Sequence, residues 1–66
     1  MTPNERESLV TWVRQRTFES LDDIRNGKTT LKEANQRASE ARIILRCIRN
    51  EDDLADIKAQ LEKVFT

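Results

Sequence analysis

The sequence predicts an all-α protein, an antiparallel helical hairpin followed by a short third helix. Three observations carry this. Apolar residues recur at alternating steps of three and four along nearly the whole chain, the signature of amphipathic helices. Helix-start signals occur at three places. Gly27 and Pro3 are the only residues of their kinds among 66, far too few turn formers for an all-β fold.

The first start signal is Thr2-Pro3-Asn4-Glu5. It offers Thr at the N-cap, Pro at the first helical position and Glu at the third, a capping box with a compatible proline. Helix 1 is expected over about 3–26, stopped by Gly27, which can take the left-handed conformation that ends helices. Thr30-Leu31-Lys32-Glu33 is a second capping box, so helix 2 is expected over about 31–49, with Arg46 and Arg49 against its C-terminal dipole. Asn50-Glu51-Asp52-Asp53 pairs an N-cap with acids for the first turn, and helix 3 is expected over about 51–64. The whole of 1–66 then forms a single helical domain without repeats or long linkers.

Spacing also indicates how these helices pack. In helix 2, Leu31, Ala34, Ala38, Ala41, Leu45 and Ile48 form an unbroken heptad seam whose alanines allow close approach. Helix 1 answers with Val10, Val13, Thr17, Leu21 and Ile24, and helix 3 with Leu54, Ile57, Leu61 and Val64, Phe65 lying alongside. Leu9, Trp12 and Phe18 fall outside the seam of helix 1. A chain this short buries only about 60% of its unfolded surface. Cys47 is alone and there is no His, so neither an internal disulfide nor a Cys/His metal site can supplement the core. Self-association is the remaining route, and the expected assembly is a homodimeric helical bundle that buries Leu9, Trp12 and Phe18.

Function classes narrow in the same way. Without His or Tyr, and with one Gly, the chain cannot build a His-based acid–base site or a phosphate-binding loop, so it reads as a non-enzyme that needs no cofactor. The carboxylate clusters Asp22-Asp23 and Glu51-Asp52-Asp53 sit at a helix end and a helix start, where acids serve the backbone. No apolar run approaches the roughly 18 residues of a membrane span, and a lone thiol suits a reducing cytoplasm.

Two binding surfaces remain. Net charge is zero but unevenly spread: −1 over residues 1–27, +4 over 28–50 and −3 over 51–66. At about 100° per residue, Lys28, Lys32, Arg42, Arg46 and Arg49 share one sector of helix 2 with Asn35 and Ser39 and no acid. This is a candidate phosphate-binding stripe, and with no aromatic on it any nucleic-acid binding would rest on backbone charge. The second surface is apolar: Leu9, Trp12 and Phe18 on helix 1, and the pair Ile43 and Cys47 on helix 2, are candidate partner or dimer contacts, with cover by helix 3 the alternative for Trp12, Phe18 and the Ile43–Cys47 pair. Cys47 reads as a small buried hydrophobe rather than a reactive thiol. The opening Thr30-Leu31-Lys32-Glu33-Ala34 would suit a helix-turn-helix, but Glu40 stands where that motif needs an apolar residue.

The run Arg25-Asn26-Gly27-Lys28, then Lys32-Glu33-Ala34, then Ile43-Ile44 and a late Leu61-Glu62, resembles small helical proteins of phages and prophages over about residues 21–62. The long N-terminal helix with Trp12 departs from that pattern. By architecture alone the chain is similar to Rop-like RNA-binding dimers of helical hairpins, with no RNA-contacting residue to carry over. The phage resemblance implies an accessory or host-interaction role in the bacterial cytoplasm without a defined activity; the missing catalytic groups, the off-face aromatics and the zero net charge point to a protein partner, with a dimeric RNA- or DNA-binding regulator as the alternative.

Overall fold

A computed structural model describes residues 1–66 and contains α1 (Pro3–Arg25), α2 (Leu31–Arg46) and α3 (Leu54–Phe65), with no strand. The start of α1 forms as the capping box requires. The Thr2 hydroxyl accepts from the Glu5 N–H at 3.2 Å, and the Glu5 carboxylate accepts from the Thr2 N–H at 3.0 Å. Gly27 adopts φ 73°, and the turn closes through the Lys28 N–H donating to the Asp23 carbonyl at 2.8 Å. At the start of α2 the box is half made. Thr30 accepts from the Glu33 N–H at 3.2 Å, but the Glu33 carboxylate takes the Thr29 hydroxyl at 2.9 Å instead of reaching back to the cap.

The connection between α2 and α3 differs from the sequence expectation at both ends. Helix α2 stops at Arg46 rather than near 49, the N–H of its cap residue Cys47 shared between the Ile43 and Ile44 carbonyls. Helix α3 begins at Leu54 rather than 51, and its cap is Asp53, which accepts from the Ala55 N–H at 3.0 Å, not Asn50. The reason lies in the acids between them. The Asp52 carboxylate accepts from the Arg49 N–H at 2.7 Å while the Asp52 N–H donates to the Arg49 carbonyl at 3.0 Å, a closed local turn that competes with a helical first turn. The α-amino group of Met1 donates to the Asn50 carbonyl, tying the chain start to the same turn.

All three helices pack on one another. The core holds Leu9 and Val13 from α1, Ala41 from α2, and Ile57, Leu61 and Phe65 from α3. Ala41 and Leu61 are fully buried, whereas Ala38, the neighbouring alanine of the seam, is only half-buried. Leu9 retains 3% of its surface and Trp12 packs against the core. Both were expected outside the intrachain seam. Trp12 meets Phe65 of α3, and Leu9 joins the core that all three helices share, so a two-helix seam undercounts what α1 buries.

A third helix of 12 residues can cover only one side of the hairpin. It spans about 18 Å at 1.5 Å per residue, against about 35 Å for the 23 residues of α1. Its end reaches Arg16, whose guanidinium donates to the Phe65 carbonyl at 3.3 Å. Leu21 lies nine residues on from Trp12, about 180° round the helix, and so points away from α3. It keeps 54% of its surface despite its seam spacing, and Leu31, the first seam position of α2, keeps 61%.

Candidate functional site

The uncovered side of the hairpin carries a cleft of about 300 Å³ between α1 and α2. Its floor is Val10, Val13 and Thr17 from α1 and Leu45 from α2. The Thr17 hydroxyl donates to the Val13 carbonyl at 2.9 Å, which spends its polar atom inside the helix. Phe18 and Leu21 form an apolar wall, Phe18 with 70% of its surface in solvent. Arg14 from α1 and Arg42 from α2 complete the lining, and no carboxylate takes part. The cleft is therefore apolar at its base and cationic on both helices.

Aromatic placement divides sharply between the two sides. Trp12 meets the Phe65 ring edge-on, centroids 5.7 Å apart at 82°. The Arg16 guanidinium lies 5.9 Å from the Trp12 centroid and 5.7 Å from that of Phe65. It also pairs with Glu19 at 2.9 Å. Its Nε is shielded without a hydrogen-bond partner, a consequence of holding the cation against two rings at the C-terminal end of α3. Of the candidate contact residues, Leu9 and Trp12 are thus taken up inside the chain, Leu9 being too deeply buried to touch a partner. Phe18 and Ile43 remain exposed. Cys47 is exposed too, not the buried hydrophobe expected, because the helix ends there and its neighbours Ile44 and Ile48 are the ones that pack on the core.

The cationic stripe lies beside the cleft. Lys28, Lys32, Arg42, Arg46 and Arg49 are all exposed, and none has a carboxylate within 4.0 Å, the one ion pair of the chain being Arg16–Glu19. The stripe is shorter than expected, since Arg49 has left the helix and its backbone binds Asp52. Arg42 belongs to both surfaces. The sequence does not mark Val10, Val13, Arg14, Thr17, Leu21 or Leu45 as cleft residues. All but Arg14 have the spacing of the helix 1–helix 2 seam, and the length of α3 is the available sign that one flank of that seam stays open.

No three His, Cys, Asp or Glu side chains gather where they could hold a metal ion, and no helix is long and apolar enough to cross a membrane. The one carboxylate held clearly below its ordinary range is Glu5, through the Thr2 N–H first and the Thr2 hydroxyl second. No protein-family model, curated protein or solved structure matches the chain.

Proposed function

We propose that this chain is a non-enzymatic binding module that docks a partner protein on the open face of its α1–α2 hairpin. It would serve as an accessory factor of the kind small phage proteins provide, modulating a host or phage protein in a bacterial cytoplasm. One observation carries the reading. Of the three aromatic side chains, Trp12 and Phe65 are packed together while Phe18 stands in solvent beside a ready-made apolar cleft. Burying a Phe or Leu side chain is worth about 1.5–3 kcal/mol, and a core of six residues has little to spare. Leaving Phe18 and Leu21 outside is intelligible if a partner covers them.

The experiment is affinity capture from a bacterial lysate with the wild-type chain and with Phe18→Asp and Leu21→Asp, each checked for unchanged helicity. Proteins retained by the wild type and lost with both variants support the reading. An identical set on all three baits defeats it. A homodimer through the same face is the competing occupant. Of the residues that called for a dimer, Leu9 and Trp12 are taken up within the chain and only Phe18 remains.

A second reading, nucleic-acid binding, rests on the exposed, unpaired state of Lys28, Lys32, Arg42, Arg46 and Arg49. Five phosphate contacts to duplex DNA would give a log–log salt slope of about −4.5. Binding of that kind, weakened by Arg42→Ala and Arg46→Ala but not by Leu21→Asp, would reverse the ranking.

A further inference from the structure

We infer that the occupant of the cleft is an amphipathic helix with acidic flanks. The inference rests on the docking role proposed for this face and adds the chemistry of the partner. The apolar floor and wall run along α1 from Val10 to Leu21, about 17 Å at 1.5 Å per residue. That length takes about three turns of a helix, whose anchors at i, i+3 or i+4, and i+7 would lie along the groove. A helix brings its backbone hydrogen bonds already satisfied. The floor offers an incoming extended strand no free backbone group, because those of α1 and α2 are spent within their own helices.

Charge then selects among helices. Arg14 and Arg42 stand on opposite walls, Arg46 lies one turn beyond Arg42, and no carboxylate lines the cleft. Glu or Asp on both edges of the incoming stripe would meet these cations, whereas Lys or Arg there would be repelled. A second copy of this chain fits less well. Pairing two open faces about a two-fold axis would bring the arginines of both copies into one interface. The acids of α3 cannot serve as the occupant, because its apolar residues Ile57, Leu61 and Phe65 are already buried and its other face is polar.

The test uses two fluorescently labelled synthetic helices of about 14 residues sharing one leucine stripe, one flanked by Glu and one by Lys. Binding to the intact chain is followed by anisotropy. The Glu peptide should bind roughly two- to thirtyfold more tightly, as expected for two exposed ion pairs. The advantage should shrink between about 0.05 and about 1 M salt. Arg14→Glu with Arg42→Glu should reverse the preference, and Leu21→Asp, or Leu21→Ser as a milder variant, should weaken both peptides. Equal binding of the two peptides, still lost with Leu21→Asp, would overturn the acidic partner while leaving a docking face. Failure of both peptides overturns the acidic helix; if lysate capture still depends on Leu21, the docking role itself survives. Self-association in sedimentation that Leu21→Asp abolishes would give the cleft to a second copy and overturn the inference.

Discussion

Helix α1 presents two apolar edges, and their fates differ completely. The edge at Leu9 and Trp12 lies under α3, where Leu9 loses nearly all its surface and Trp12 finds an aromatic partner in Phe65. The edge at Val10, Phe18 and Leu21, on the other flank, borders an open cleft. Both edges have helical spacing and comparable residues. What separates them is that a third helix of 12 residues can lie on one side only. Amphipathic spacing therefore says that a residue can be buried, and the placement of α3 decides which edge it covers. The uncovered edge is where a partner has something to gain.

Breaking the covered side should have the largest effect. Leu61 is fully buried where the three helices meet, and Leu61→Ala should cost about 2–5 kcal/mol, enough to unfold most of so small a chain. Thermal or urea melts followed by circular dichroism would show it. A cooperative transition at the wild-type midpoint would mean that α3 is not packed as described. Next comes Ala41→Leu, which would drive three new heavy atoms into a fully buried position of α2 and cost about 1–3 kcal/mol. Ala38→Leu, at a half-buried position of the same seam, should cost less. Reversal of that order in melts would mean that the tightest contact lies nearer the hairpin turn.

The open side should answer differently. Leu21→Asp and Phe18→Ser should change stability by no more than about 0.5 kcal/mol, because both side chains already stand largely in solvent. The same variants are the ones expected to lose partner binding. A drop in stability comparable with that of Ala41→Leu, together with a loss of sedimented mass, would show that a second copy covers this side.

Much of the fold was legible because it is punctuated locally. Thr2, Thr30 and Gly27 act within three or four residues of themselves, and all three mark true boundaries. The junction after α2 was not legible for the same kind of reason. Asn50, Asp52 and Asp53 are all good caps, and which one starts α3 depends on Asp52 closing a turn with Arg49. The cleft was half legible. Phe18 stood out as off-seam, and Arg42 as part of the cationic stripe. Leu21 and Leu45 carried the spacing of core residues, and only the reach of α3 distinguishes a covered seam from an open one.

The smallest effect expected lies at the edge of the covered side, in the cap that starts α1. The Glu5 carboxylate accepts from the Thr2 N–H, and this bond, with the Thr2 hydroxyl second, holds it below its ordinary value of 4.5. A carboxylate with a depressed pKa in the folded state binds its proton more readily when unfolded. Its contribution is therefore complete above the ordinary value and fades as pH falls through the lower, folded one. Glu5→Gln keeps an acceptor for the Thr2 N–H and removes the charge that favours a helix start. Melts of the two proteins should differ slightly near pH 7 and converge once the pH lies well below 4.5, with the wild type the more stable before they meet. A difference that persists unchanged into acid would show that Glu5 acts through shape alone, and that charge plays no part in holding Thr2 at the start of α1.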